Sequence, residues 1–233
     1  MANDVKQAAG QTNPEVSSTE DKVVASAQQF WSKNSKYILY GLLAVILLVG
    51  GTYVYNSYFR EPEEQKAAEA IWKAQSYYTQ DSLKLALNGD GVNMGFLKVI
   101  DKFGGTKSGN LAKFYAGSCY LQLGEFGNAV KYLEGFSTDQ KEVKLRATGL
   151  LGDAYAEQGK KKEAIDAYTK AGSMAEDDDV NSPEYLFRAA LLSQDLGKDK
   201  EAIDLLKSIK SKYPSSQRAY EADKYLAKLG ETK

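Results

Sequence analysis

Three glycines in the second half of the chain constrain its fold more than any other feature. Gly124, Gly159 and Gly197 are separated by 35 and 38 residues, and five residues after each comes an alanine followed by an aliphatic residue. Such spacings are typical of stacked helical hairpins, in which glycine forms the turn and small residues let two helices approach closely. The pattern predicts an all-α array from Asn110 onward.

Large and small side chains around each glycine favour the same fold. Tyr120 and Tyr155 stand four residues before the first two glycines, and another glycine stands three residues before each tyrosine. The third copy departs from the pattern, because Ser193 replaces the tyrosine. One hairpin cannot bury its apolar faces alone, so neighbouring hairpins should stack into a curved solenoid. A generic helical array without this repeat geometry is the alternative interpretation.

The end of the chain predicts a closing helix. Pro214 stands where the third repeat should end, and Ser215 is placed to cap a last helix that runs through Leu229. We therefore expect residues 110–233 to form the repeats together with a C-terminal capping helix.

These residues resemble the tetratricopeptide repeat family over positions 110–229. The resemblance implies a fold of αα-hairpins in a solenoid and a concave surface that binds segments of other proteins. That surface is formed by fixed positions of each first helix. The apolar residues at those positions, which are the candidate groove residues, are Leu111, Phe114, Leu121, Phe187 and Leu191.

The same concave positions indicate what the groove would bind. Family members that clamp a terminal carboxylate use Lys and Asn there, whereas this chain has Phe114 and Ser118 in the first repeat and Gly149 and Asp153 in the second. We therefore expect no carboxylate clamp, and exposed Phe and Leu favour extended or helical apolar segments. The alternative is that these side chains pack against the hairpins of residues 63–109.

A second feature is the run Tyr37–Phe59, which is uncharged for 23 residues. A helix of that length rises about 34 Å, against a hydrocarbon core of about 30 Å. Nine central Leu, Ile and Val residues each favour insertion by about 0.3 to 0.6 kcal/mol. Aromatic residues at both ends suit the two headgroup levels. The run predicts one transmembrane helix over residues 37–59.

Two other interpretations of this run are less consistent with the sequence. A buried core helix rarely continues so far without a charge. A cleaved signal peptide would start near a short basic segment and end in small residues, whereas 36 residues precede this run and Gly50-Gly51-Thr52-Tyr53 lies at its end. We expect an uncleaved anchor in contact with the lipid bilayer.

The flanks of the run predict its orientation. Residues 1–17 are polar and aperiodic, which predicts a disordered cytoplasmic tail, and residues 18–36 predict an amphipathic helix along the membrane surface. Lys33 and Lys36 stand alone before the run, whereas acidic residues follow Arg60 directly. The positive-inside rule then places the N-terminus in the cytoplasm and exports the C-terminal domain.

Residues 60–109 lack the repeat pattern and are predicted to form divergent helical hairpins. Pro62 should interrupt the helix, and Glu63–Tyr78 should be helical again. The glycine-rich stretches 88–91 and 104–109 have neither a phosphate-loop nor a calcium-loop pattern, so both are interpreted as turns.

The arrangement of an amphipathic segment, one span, an Ala- and Tyr-rich helix and irregular repeats resembles the YfgM-like family of bacterial envelope proteins. That resemblance rests on architecture and on residues 20–80. It implies a single-pass protein of the bacterial inner membrane with a periplasmic C-terminal domain. It also implies association with the SecYEG translocon and with exported or periplasmic chaperone proteins.

Composition disfavours catalysis. The chain has no histidine and one cysteine, Cys119, which removes the commonest general base, the commonest zinc ligand and every internal disulfide. We expect no enzyme activity, no cofactor, no metal site and no small-molecule substrate. The net charge of −1 gives no reason to expect nucleic acid.

Three functional hypotheses follow. The leading one is a membrane-anchored protein-protein interaction module, an ancillary or chaperone-like factor near the protein-export channel. The second is a structural adaptor that tethers another cell-envelope complex to the inner membrane. The third, an enzyme, would require a carboxylate pair hidden in the groove.

Overall fold

A computed structural model describes residues 14–231 of the chain, with side chains from residue 21 onward. Apart from one isolated bridge between Gly89 and Met94, the regular secondary structure of this range is helical. The described backbone divides into two compact units, with the boundary between Phe59 and Arg60. The helices are α1 (Pro14–Tyr55), a π-helical segment (Asn56–Arg60), α2 (Glu61–Thr79), α3 (Leu83–Asn88), α4 (Phe96–Phe103), α5 (Lys107–Gln122), α6 (Phe126–Glu134), α7 (Lys141–Glu157), α8 (Lys161–Gly172), α9 (Asn181–Asp195), α10 (Asp199–Lys212) and α11 (Gln217–Lys228).

Helix α1 begins at Pro14, earlier than the start predicted at Ser18. Proline suits the first helical position, because its missing N–H would have no helical acceptor there. Residues 14–17 are therefore helical, which corrects the prediction that they are disordered. The rest of the predicted tail, residues 1–13, lies outside the described part of the chain.

One helical run, Asp21–Thr79, is long and apolar enough to cross a membrane by length and composition. Its most apolar window is 0% buried within the protein. The large apolar side chains from Val23 to Phe59 are accordingly exposed almost throughout.

Pro62 does not interrupt α2. It is the second residue of α2, and the helical run Asp21–Thr79 continues across it. The predicted break is wrong, and the π-helical segment Asn56–Arg60 lies directly before α2 where the proline changes the backbone hydrogen bonding.

The second unit starts with α2, which packs against α3, α4 and α5. Ala67, Ile71 and Ala74 form the buried face of α2 and share a core with Phe96. The ring of Tyr78 lies edge-on to that of Phe96, with centroids 6.5 Å apart. These helices bury the apolar side of α5. The stack of helices in the second unit therefore begins with α2, before the first repeat.

The two glycine-rich stretches have different structures. Gly89 adopts a φ of +80° directly after α3, in the expected turn. In the second stretch only Gly104–Thr106 is a turn, because Thr106 caps α5 by accepting a hydrogen bond from the N–H of Gly109. Residues 107–109 are thus the first turn of the helix, which corrects the predicted repeat start at Asn110.

Three hairpins follow, α5–α6, α7–α8 and α9–α10, as the glycine spacing predicts. Gly124, Gly159 and Gly197 have φ values of +75°, +73° and +71°, the left-handed region that favours glycine. The small-against-large pairing is also present. A Cβ atom on Gly117 would lie 2.6 Å from Leu133 Cγ, and one on Gly152 would lie 2.5 Å from Tyr168 Cδ1.

Helix α11 closes the array, but its cap is Ser216 rather than the predicted Ser215. The Ser216 hydroxyl accepts a hydrogen bond from the N–H of Ala219 at 3.2 Å and donates one to the carbonyl of Tyr213. Tyr213, whose carbonyl accepts this second bond, is itself fully buried.

Candidate protein-binding site

The five predicted groove residues do not line one continuous groove. Leu111 packs half-buried against the core shared by α2, α4 and α5. The ring of Phe114 lies 5.5 Å from that of Phe136, in the loop after α6. The structure thus distributes these side chains among separate contacts within the second unit.

Phe187 is part of the core, which corrects its assignment to an exposed groove. It is 3% exposed, its ring lies edge-on to Tyr225 at 5.1 Å, and the Arg218 guanidinium lies 4.7 Å from its centroid. Leu191 packs half-buried on the same cluster. Phe187 is covered by Tyr225 and Arg218 of α11, the helix that follows the third hairpin.

Leu121 lies in a cleft of about 550 Å³ between the first helices of successive repeats. This cleft is called the concave cleft below, and the family resemblance also assigns four of its other residues to the concave surface, namely Gln122, Asp153, Ala156 and Glu157. Its lining residues are Leu121, Gln122, Gly124, Phe126, Asp153, Ala156, Glu157, Tyr168 and Arg188. Leu121, Phe126 and Ala156 give it an apolar lip, and the remaining side chains are mainly polar.

Asp153 is the polar centre of the concave cleft. Its Oδ1 accepts hydrogen bonds from the Tyr168 hydroxyl at 2.7 Å and from Arg188 Nη1 at 2.6 Å. Burial, followed by the hydrogen bond to Asp153, raises the pKa of Tyr168, so the phenol keeps its proton. The carboxylate is already satisfied by two donors and holds the wall of the cleft in place.

The ionic contacts continue from Asp153 to the end of the solenoid. Arg188 Nε donates to Glu184 at 2.8 Å, Arg218 Nε donates to the same carboxylate at 2.5 Å, and Arg218 also pairs with Glu221. Burial opposes ionisation of Glu184, but the hydrogen bonds from Arg218 and Arg188 outweigh it and lower the pKa of this carboxyl. We call this chain of contacts the ionic ladder.

Helix α2 also contacts the end of α5, the first helix of the first repeat, as the alternative interpretation of the groove allowed. Ser118 is buried, and its hydroxyl lies 2.8 Å from the hydroxyl of Tyr78. Gln122 Nε2 donates to the same tyrosine oxygen at 3.2 Å. Sequence reasoning could not find this contact, because Tyr78 is 40 residues before Ser118 and belongs to no recognised repeat.

Three further candidates for a functional site are a metal-binding cluster, the acidic loop 177–179 and the thiol of Cys119. Between residues 21 and 231, no group of three His, Cys, Asp or Glu side chains could hold a metal ion. Asp178, in the acidic loop 177–179, accepts hydrogen bonds from the N–H groups of Val180 and Asn181 at 3.0 and 2.7 Å. Cys119 is fully buried, and burial raises the pKa of its thiol to about 12.

Comparisons with known families agree with this architecture. Residues 28–151 match the family described as Tetratricopeptide repeat-like domain, and residues 145–178 and 184–216 each match a Tetratricopeptide repeat. No curated protein matches the chain. The first match includes residues 60–109, a region in which the glycine spacing shows no repeat. The chain belongs to the tetratricopeptide repeat-like domain family.

Proposed function

We propose that this protein is a membrane-anchored protein-binding module. The observation that carries the proposal is the concave cleft, which the repeat helices form without covering it. Domains of this family are interaction scaffolds rather than enzymes. The cleft offers an apolar lip beside hydrogen-bonding groups, which suits a short segment of another protein.

Helix α1 supports the membrane part of the proposal. Its apolar side chains have no cover within the described part of the chain, and a bilayer would bury them at a gain of about 0.3 to 0.6 kcal/mol per central residue. Lys33 and Lys36 favour a cytoplasmic N-terminus and an exported repeat domain. A bacterial inner-membrane location, with the repeats in the periplasm, fits both features.

The architecture suits an ancillary or chaperone-like role near a protein-export channel such as SecYEG. Such a role would hold the concave cleft close to segments that emerge from the membrane. A structural adaptor for another envelope complex would use the same anchor and cleft, but it would hold one partner permanently. The identity of the captured protein separates the two roles.

The test is site-directed photocrosslinking in intact membranes. A photoreactive residue replaces Gln122, at the cleft, or Tyr220, which is exposed on α11 and is not among the cleft residues. We expect crosslinks to other proteins from position 122 and few from position 220. Many exported partners would support the export role, and one partner in stoichiometric yield would support the adaptor. Equal crosslinking from both positions would refute the cleft as the binding site.

A matched variant connects capture to the cleft. The double change Leu121→Ser and Phe126→Ser removes the apolar lip, and Leu196→Ser removes an exposed leucine that is not among the cleft residues. We expect capture to fall at least tenfold in the first variant only, because central apolar contacts carry most interface energy. Unchanged capture in the lip variant would contradict the proposal.

Orientation has its own test. Protease added to the outer side of the inner membrane should digest the repeat domain and spare the residues before the span. Digestion of the N-terminal residues instead would show that the positive-inside assignment is reversed.

A further inference from the structure

A second groove, of about 710 Å³, lies between α6, α7 and α8 and is called the α6–α8 groove here. Helix α7 separates it from the concave cleft. Leu151 and Tyr155 face this groove, whereas Asp153 and Glu157 face the cleft, and residues two apart on a helix point about 200° from each other. No residue lines both sites.

The floor of the groove lacks a large side chain that the repeat consensus has. The tetratricopeptide consensus has tryptophan four residues before the glycine at Gly152. This chain has Thr148 there, and Thr148 lines the groove together with Ala147 and Leu151. Phe136 and Tyr155 form the aromatic part of the wall.

Acidic side chains surround this floor. Glu134, Asp139, Glu163 and Asp166 line the groove, and among residues 21–231 none of the four forms an ion pair. Glu134 accepts a hydrogen bond of 2.5 Å from the Tyr155 hydroxyl, which orients its carboxylate. The lysines Lys144 and Lys170 leave an excess of two negative charges around the groove.

The next groove along the solenoid differs in this respect. Between α8 and α10 the lining includes Asp199, Lys200 and Asp204, and Lys198 there pairs with Glu201 at 2.9 Å. Three acids face two lysines, so the excess is one negative charge. Asp199 and Asp204 also form no ion pair among residues 21–231, so the α6–α8 groove differs from its neighbour by the aromatic side chains of Phe136 and Tyr155 and by one further negative charge.

We propose that the α6–α8 groove is a second docking site, for a partner segment in which Lys or Arg residues flank an aromatic or aliphatic side chain. The apolar side chain occupies the space that the consensus tryptophan would fill. The flanking cations pair with the carboxylates at the rim. Negative charge around the groove disfavours anionic partners, including acidic peptides and nucleic acid. This inference does not depend on the concave cleft.

The experiment measures peptide binding to the full chain in detergent micelles. The probe is a fluorescein-labelled peptide of twelve residues that alternates Lys with Leu around one Trp, and the comparison peptide carries Glu at every Lys. We expect the basic peptide to bind, the acidic peptide not to bind, and binding to weaken as salt rises towards the range where the Debye length is about 3 Å. Absence of binding by the basic peptide up to about 1 mM would overturn the proposal.

Two variants locate the site. The double change Glu163→Gln and Asp166→Asn removes two rim charges, and Thr148→Trp restores the consensus side chain without changing charge. The first should weaken binding about two- to thirtyfold, since exposed ion pairs contribute about 0.2 to 1 kcal/mol each. The second should abolish binding while helix content and melting stay close to those of the parent.

The matched control is Asp199→Asn with Asp204→Asn, which removes two exposed acids from the neighbouring groove. We expect the control to bind the basic peptide as the parent does. Equal losses in the control and the rim variant would show a nonspecific charge effect and would overturn the proposal. Concentration-dependent self-association that disappears in the Thr148→Trp variant would identify a second copy as the occupant and would also overturn it.

Discussion

Leucine and glycine residues are exposed in helix α1, whereas several of them are buried in the repeat helices. Leu47 and Leu48 of α1 are 66% and 68% exposed, whereas Leu145 and Leu206 of the repeats are 0% and 2% exposed. Glycines show the same contrast. Gly41, Gly50 and Gly51 have nothing within 4 Å of a Cβ position, whereas Gly117 and Gly152 are covered by a neighbouring side chain.

The contrast shows which groups bury the apolar side chains of each region. Repeat glycines let a second helix approach, so each hairpin buries its own leucines against its neighbours. The α1 glycines have no such neighbour among residues 21–231, and in the proposed function the lipid bilayer would bury the apolar side chains of α1. Substitutions in α1 and in the repeat helices should therefore differ in how strongly they change membrane retention or the free energy of unfolding.

The largest effect is expected in α1. Replacing Leu43 and Leu47 by Arg costs about 2.5 to 3.5 kcal/mol per charge at the centre of a bilayer. The two charges together cost about 5 to 7 kcal/mol, which exceeds the favourable insertion energy of about 3 to 5 kcal/mol from the nine central apolar residues. We expect the variant to be released from membranes by alkaline carbonate, while the parent stays in the pellet.

The control for this variant is Leu43→Ile with Leu47→Val, which keeps the run apolar. It should remain in the pellet. If the arginine variant also remained there, α1 would be held by something other than its apolar surface.

The next effect concerns the end of the solenoid. Phe187→Ala truncates a buried ring and should lower the free energy of unfolding by about 3 to 5 kcal/mol. Leu121→Ala, at the half-buried edge of the concave cleft, should cost only about 1 kcal/mol. Thermal melting of both variants in detergent measures the difference, and equal losses would mean that Phe187 is not in the core.

Phe187 also shows what the sequence could and could not predict. The hairpins follow from glycine and alanine spacing, because those residues act within one repeat. The exposure of Phe187 depends on Tyr225 and Arg218 of α11, and that of Ser118 depends on Tyr78 of α2. Such contacts join elements without a shared pattern, so the repeat alignment predicted the helical hairpins but not the burial of Phe187 and Ser118.

A smaller effect tests the glycines of the repeats. Gly152→Ala places a Cβ against the Tyr168 ring, whose hydroxyl is held by Asp153, and overpacking should cost about 1 to 3 kcal/mol. Gly127→Ala in α6 meets no atom within 4 Å and should stabilise the protein by about 0.4 to 1 kcal/mol. Opposite shifts in melting temperature are expected, and a loss in both variants would contradict the packing.

The smallest effect is expected from the ionic ladder. The pKa of Glu184 is lowered in the folded protein, so its contribution to stability is fully present above the unfolded pKa of about 4.3 and is lost as pH falls through the folded pKa. Stability of the parent should therefore fall more steeply below about pH 4 than that of Glu184→Gln. Parallel profiles from denaturant titration would show that Glu184 ionises without help from the two arginines.

Because Cys119 is buried, the reactivity of its thiol is a probe of local unfolding in α5. It is the only cysteine of the sequence, it is fully buried in α5, and burial raises its pKa to about 12. A thiol reagent can therefore modify it only after α5 separates from its neighbours. The rate of modification under native conditions reports the free energy of opening α5 at this one position, without any engineered probe.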